Sequence, residues 1–333
     1  MPDTRLDVLA FGNAIVDVLA RADDDFLAGH AMPKGSMTLI DEARAEGVYA
    51  AMGPGVEISG GSAANTAAGV ASLGGRAGFV GKVKDDTLGA IFGHDIRAAG
   101  VAFDTPAAST GPATARCLIL VTPDGERTMN TYLGAAQDLS PEDVDPAVVA
   151  GAAVTYLEGY LWDPPAAKRA FLKAADIARA AGRTVALTLS DAFCVDRYRA
   201  EFLALMRNGT VDLVFANEAE LKSLYETGDF DTALAALRRD VARAVVTRSE
   251  KGALSVAGNA LVEVPAFPVE RVVDTTGAGD LFAAGYLHGH ARGLSPEDSL
   301  RLGALAAAEI ISHMGARPER ELKALAQENG LRV

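Results

Sequence analysis

The run Asp274-Thr-Thr-Gly-Ala-Gly-Asp280, followed by the apolar, helix-forming stretch 281–291, is the most informative segment of the chain. Gly277 and Gly279 permit tight backbone approach and conformations closed to other residues. A helix that starts here aims the amides of Gly277, Ala278 and Gly279 outward from its N-terminus. Such a terminus carries unsatisfied donors and partial positive charge, so it is an anion site. Asp280 falls in the first helical turn beside it. A carboxylate there can take the proton from a hydroxyl that attacks a phosphoryl group. The structural alternative is an N-capping Asp after a glycine turn, which stabilises by about 0.5–2 kcal/mol.

A second small-residue segment, Ser59-Gly-Gly-Ser-Ala-Ala-Asn65, opens a helical stretch that stops at Gly74-Gly75. Gly60 and Gly61 let a ligand approach the backbone, and Asn65 both donates and accepts, which suits vicinal hydroxyls. Strand-like runs at 6–11, 15–19, 78–81, 116–121, 153–157, 185–189, 211–215 and 244–247 surround these segments. Helical stretches at 166–181, 197–206, 218–225, 231–240 and 300–314 lie between and after them. That alternation predicts βαβ units: an α/β, doubly wound, mostly parallel sheet with helices on both faces. Stretches 14–20 and 37–40, and the pair 116–121 and 128–133 around Pro123-Asp124-Gly125, break the alternation. They are read as a small separate β-layer covering a site.

Composition bounds the rest. The chain has 333 residues, 49% hydrophobic and 23% charged, the balance of an ordinary globular protein. No low-complexity linker divides it, so residues 1–333 are expected to form one domain, with a lid made from about 14–40 and 115–133. A net charge of −13 argues against sequence-independent binding to nucleic acid or an anionic membrane, which needs a basic face. No run of 18 apolar residues is present, and residues 1–7 carry no leader pattern, so a cytoplasmic protein is expected. Cys117 and Cys194 are too few for a disulfide framework and are read as small buried hydrophobes. No G-x-x-x-x-G-K-[ST] and no G-x-G-x-x-G after the first strand occur, which disfavours Walker-type and dinucleotide sites.

Taken together, the motifs resemble the ribokinase/PfkB-type carbohydrate and nucleoside kinases. The matching elements are Gly12-Asn-Ala-Ile-Val-Asp17, Gly60–Asn65, Asn217-Glu-Ala-Glu220, Thr247-Arg-Ser-Glu-Lys-Gly252 and Asp274–Asp280, in the family's order. The resemblance implies a ribokinase-like doubly wound domain with a small β-sheet lid. It implies ATP and Mg²⁺ as cofactors and a small-molecule substrate, a nucleoside or sugar, handled by a monomer or homodimer. Asp280 then resembles the catalytic base, with Gly277, Ala278 and Gly279 as the anion hole. Asp17, Gly60, Gly61 and Asn65 resemble the substrate-hydroxyl site. Asn217 and Glu220 resemble the element that organises Mg²⁺ through water, and Thr247, Ser249 and Gly252 lie where the family binds nucleotide. Asp274 and Thr276 lie where many members hold a monovalent cation such as K⁺. Arg116, in an expected lid strand, is a candidate for reaching the phosphates.

Within the family the closest likeness is to adenosine kinases, through Asp23–Leu27, Lys34–Asp41 and Leu187–Phe193. Tyr160, Trp162 and Phe193 are candidate walls for a base. Tyr156-Leu-Glu158 instead resembles a ribokinase-like strand end whose Glu158 meets a free sugar. The expected activity is therefore ATP-dependent phosphorylation of a primary hydroxyl, adenosine to AMP. A ribokinase- or fructokinase-like sugar kinase is the alternative, followed by a non-catalytic sensor on the same fold.

Overall fold

A computed structural model describes residues 5–333; the leader reading of residues 1–7 falls partly on 1–4, outside the described residues. The strands in chain order are β1 Leu6–Phe11, β2 Ile15–Arg21, β3 Met37–Leu39, β4 Gly55–Gly60, β5 Ala77–Val80, β6 Val101–Ala102 and β7 Ala115–Val121. They continue as β8 Arg127–Tyr132, β9 Ala152–Glu158, β10 Thr184–Thr188, β11 Leu213–Asn217, β12 Arg243–Thr247, β13 Ala253–Ala257 and β14 Ala260–Val264. Nine form one sheet in the order β14-β13-β12-β11-β10-β9-β1-β5-β6. It is parallel from β12 to β6, with antiparallel β13 and β14 closing one edge. The other five form a lid sheet, β3-β8-β7-β2-β4. The lid thus takes in β4, beyond the 14–40 and 115–133 boundaries read from the sequence.

The central strands read as unbroken apolar runs because both sheet faces are covered. Val8 and Ala10 of β1 join one core cluster, with Ala63, Ala67 and Phe282 from the helices Ser62–Ser72 and Ala278–Ala291. Leu9 and Phe11 join the other, with Phe171 and Phe202 from the helices Pro165–Ala180 and Ala192–Arg207. Both cysteines are free and buried, as expected of small hydrophobes. Among the described residues no helix is long and apolar enough to cross a membrane.

Chain order reverses at β1, which pairs with β5 on one side and β9 on the other. In open α/β sheets the crevice beyond the strand ends at such a switch point is the place where ligands bind. Gly12 and Asn13 follow β1 there, and Glu158 ends β9. The lid strand β2 begins two residues after Asn13, so the lid is joined to the sheet at the crevice itself.

Candidate active site

Asp280 lies in the first turn of the helix Ala278–Ala291, whose N-cap Gly277 is left-handed and offers no side-chain cap. Ser62 Oγ donates to Asp280 Oδ1 (2.6 Å) and Asn65 Nδ2 donates to Asp280 Oδ2 (3.0 Å). Thr66 Oγ1 donates to the Asp280 carbonyl, 3.2 Å away. Two residues from one helix start thus orient the Asp280 carboxylate, and a third holds its backbone. Burial raises the Asp280 pKa; the Ser62 and Asn65 hydrogen bonds and the Arg317 charge oppose that rise. The other end of the Asn65 amide, Oδ1, is buried without a partner, as is Asn13 Oδ1. Buried polar atoms are seldom left unpaired. Unpaired acceptors on Asn13 and Asn65, which flank the switch point, suit the hydroxyls of a ligand.

Asp17 sits on β2 in register with Cys117 of β7 and Ile58 of β4. Its pKa is raised to about 7, by burial first and by the Asp280 charge, against the pull of Arg317 and Arg127. Gly60 lies so close that a Cβ there would land on the Asp17 carboxylate. Gly61 has φ +97°, and a Cβ on it would strike the Asn13 carbonyl. The glycine pair is therefore required by the approach of β2 to the helix start, and Asp17, Gly60, Gly61, Asn65 and Asp280 do converge.

Glu158 is placed differently from the expectation. Its Oε1 accepts from Asn13 N and Nδ2 (3.3 and 2.7 Å) and its Oε2 from Ala63 N (2.8 Å). It braces β1 against the helix start across the switch point, and both its oxygens are spent on protein donors. Burial raises its pKa to about 7. Trp162 also departs from its expected place. It is buried among Phe171 and Phe202 with Nε1 on Glu201, so it is core and not a pocket wall. Tyr160 is partly exposed and close enough to Asp280 to feel its charge, and Phe193 is 80% exposed.

The lid arginine is Arg127, not Arg116. Arg116 shares a register position with Val16 on the lid face away from Asp17, and its guanidinium is buried beside the rings of Tyr49 and Tyr132. Arg127 lies in phase with Met129 and Thr131, on the Asp17 face. Its Nη1 is 2.7 Å from Asp274 Oδ2 and 3.2 Å from Thr276 Oγ1. Asp274 Oδ2 also accepts from Gly315 N (3.0 Å), and Oδ1 from Thr276 N and Oγ1 (3.0 and 2.8 Å). Every strong acceptor direction of Asp274 is taken, and a guanidinium supplies the positive charge. These two residues do not fit a monovalent cation. Nor are all three loop amides free, because Ala278 N donates to the Thr275 carbonyl at 3.2 Å.

At the ends of β11 and β12 a cavity of about 490 Å³ is lined by Asn217, Thr247 and Ser249, where the sequence places nucleotide. Lys222, Arg248 and Lys251 add a basic side that sequence reasoning did not single out. Gly252 follows in a left-handed turn. Asn217 and Glu220 form a capping box on the helix Glu218–Leu224: Asn217 Oδ1 accepts from Glu220 N, and Glu220 accepts from Asn217 N and Nδ2. Burial and the facing Asp191 charge raise the Glu220 pKa to about 7. Both Glu220 oxygens already accept from Asn217, so only their remaining lone pairs are left for Mg²⁺, which they would hold through water.

Comparison with known proteins agrees with this geometry. The model of the pfkB family carbohydrate kinases matches residues 34–322. Fructokinase-1 of Zea mays is 30% identical over 238 residues, 70% of this chain and 73% of that protein. The structure titled as adenosine kinase from Sinorhizobium meliloti is 59% identical with TM-score 0.90, covering 98% of this chain and 99% of that one. A probable sugar kinase from Rhizobium etli CFN 42 is 55% identical with TM-score 0.92, covering 99% and 100%. A ribokinase-like sheet with a lid, a glycine loop and this family match make the chain a member of the pfkB carbohydrate kinase family, phosphotransferases that act on an alcohol group and use ATP.

Proposed function

We propose that this kinase phosphorylates the 5′-hydroxyl of adenosine. The observation that carries the reading is the lid face turned to the crevice. Strand register puts Asp17 in one row with Ile58, Cys117, Thr131 and Leu39. The next row is Val56, Leu19, Ile119, Met129 and Met37. Apart from Asp17, Thr131 and Arg127 these rows of the face are apolar, and Met37, Leu39 and Val56 are 51%, 56% and 63% exposed. A free sugar offers such a surface nothing; a purine offers a flat apolar face. The exposed Phe193 and partly exposed Tyr160 supply aromatic surface outside the core. The Glu158 carboxylate, which would have favoured a free sugar, is occupied by Asn13 and Ala63. The 59% likeness to a protein titled adenosine kinase points the same way.

In this reading Asp17 and the unpaired Asn65 Oδ1 accept ribose hydroxyls. Asp280, oriented by Ser62 and Asn65, takes the 5′-hydroxyl proton as the oxygen attacks the γ-phosphorus of ATP, and the bond to the β,γ-bridging oxygen breaks to release ADP. Its raised pKa makes it a stronger base than a free carboxylate. The amides of Gly277 and Gly279 stabilise charge on the transferred group at the helix N-terminus, while Ala278 first has to release Thr275. Arg127 brings a lid guanidinium to the same loop. Thr247, Ser249 and Gly252, with Lys222, Arg248 and Lys251, hold the nucleotide. Mg²⁺, when bound, neutralises phosphate charge, and Glu220 holds its water shell.

Replacing lid apolar side chains tests the reading. Met37→Ser with Leu39→Ser removes two exposed contacts and leaves Asp17 and Asp280 intact. The adenosine KM is expected to rise roughly tenfold or more, since burying one such side chain is worth about 1.5–3 kcal/mol. An unchanged adenosine KM would remove the base from the lid face.

A further inference from the structure

Arg317 lies between the helices Pro296–Ile310 and Leu322–Glu328 and reaches the segment that precedes the glycine pair. Its Nε and Nη2 donate to the Ser59 carbonyl (3.0 and 2.8 Å), and Nη2 also to Ser59 Oγ (2.9 Å). Its Nη1 donates to the Ala64 carbonyl at 2.7 Å. Each of these acceptors is neutral. Ser59 in turn donates to Asp95 Oδ2 through both its amide (2.7 Å) and its hydroxyl (2.6 Å). The residue before Gly60 is therefore gripped by a guanidinium on one side and a carboxylate on the other. Ala64, the second anchor, lies between Ser62 and Asn65, the two residues that orient Asp280.

We propose that Arg317 is a positioning residue for phosphoryl transfer: it locks the Ser59–Asn65 turn and supplies a positive charge, shared with Asp95, that faces Asp17 and Asp280 together. The charge balance of the crevice supports this. Asp17 faces Arg317, Arg127 and Asp280, and the Cys117 thiol lies within reach of its charge. Asp280 faces Arg317 and Asp17, while Glu158, Tyr156 and Tyr160 all feel its charge. Two of these groups are cations. Arg127 is paired with Asp274, whereas the hydrogen bonds of Arg317 go to neutral oxygens. Burial pushes both aspartates toward protonation, and Arg317 works against it at each. Asp95 also faces the guanidinium, through Ser59, but the hydrogen bonds of the guanidinium go to backbone carbonyls and the Ser59 hydroxyl and to no carboxylate directly.

The inference rests on Asp280 as the base, so Asp280→Asn is measured beside it. Normal turnover in that variant sinks the base assignment; a shift or its absence in the Arg317 variants judges only the present proposal. The variants are Arg317→Met, Arg317→Gln and Arg317→Lys, each checked by thermal unfolding and assayed by ADP release from pH 5.5 to 9. In Arg317→Met the acid limb of kcat/KM is expected to move up by about one pH unit or more, the size usual for loss of a nearby opposite charge. Arg317→Lys keeps the charge and is expected to keep the limb near its wild-type position while kcat falls. Should Arg317→Met fail to fold, Arg317→Gln retains an amide donor for Ser59 without the charge and is expected to show the same upward shift. Neutral variants whose profiles superimpose on wild type after scaling would overturn the proposal and leave Arg317 a structural residue.

Discussion

The Arg127 guanidinium of the lid sheet lies 2.7 Å from the Asp274 carboxylate at the entrance to the glycine loop. Lid and anion loop are thereby joined by a charge pair with both side chains less than a tenth exposed. Removing one partner of such a pair leaves the other charge buried and costs about 3–5 kcal/mol. The pair also occupies the place expected for a monovalent cation. Exchanging KCl for choline chloride at constant ionic strength is expected to leave both the rate and the melting temperature unchanged. A saturable K⁺-specific gain in either would show that the cation displaces Arg127.

Asp280→Asn keeps the side-chain volume but cannot accept the proton. The kcat is expected to fall at least about a hundredfold while the substrate still binds. Steady-state ADP release, together with calorimetric binding, checks both halves. Near-normal turnover would reduce Asp280 to a residue of the helix start.

Asp17 links function to stability with opposite signs. Its folded pKa, about 7, stands above the ordinary carboxylate value of 3.8. Between those values the folded state holds more protons than the unfolded one, so this group's contribution to stability falls as pH rises and levels off above about 7. Asp17→Asn is therefore expected to raise the melting temperature at pH 8 and to raise the substrate KM. In the wild-type protein the substrate affinity is expected to weaken as pH drops through about 7. Thermal unfolding of both forms at pH 5 and pH 8 gives the sign. A variant less stable than wild type at pH 8 would mean that Asp17 contributes favourable contacts in the free protein.

Glu220→Gln preserves the capping box, since a glutamine side chain can close one as well. It removes a charge that faces Asp191. The Mg²⁺ concentration for half-maximal rate is expected to rise, with the melting temperature little changed. An unaltered Mg²⁺ requirement would free Glu220 from the metal.

Much of this was legible in the sequence, because the decisive contacts are either local or carried by glycines. The central strands announce themselves as apolar runs, and 274–280 fixes both a turn and a helix start. The antiparallel edge strands β13 and β14 were missed, being only five residues each, β14 largely exposed, with no long apolar run to mark them. The choice between Arg116 and Arg127 turns on strand phase: odd-numbered residues of β7 and β8 share the Asp17 face. The alternation was visible, but not which face met the crevice. Arg317 gave no signal, because its partner Ser59 lies 258 residues away and the contact exists only once the sheet has folded. Glu158 and Trp162 were misplaced for a related reason: a polar or aromatic residue at a strand end looks the same whether it meets substrate or braces the core.

The central claim is the nucleoside, and one competition measures it directly. Adenosine, ribose and fructose at equal concentrations are incubated with limiting ATP, Mg²⁺ and the protein, and the phosphorylated products are separated and counted. AMP is expected to exceed either sugar phosphate by roughly tenfold to a hundredfold, the factor that about 1.4–2.8 kcal/mol of base contact provides. A predominance of ribose or fructose phosphate would contradict the adenosine reading and leave the kinase itself standing.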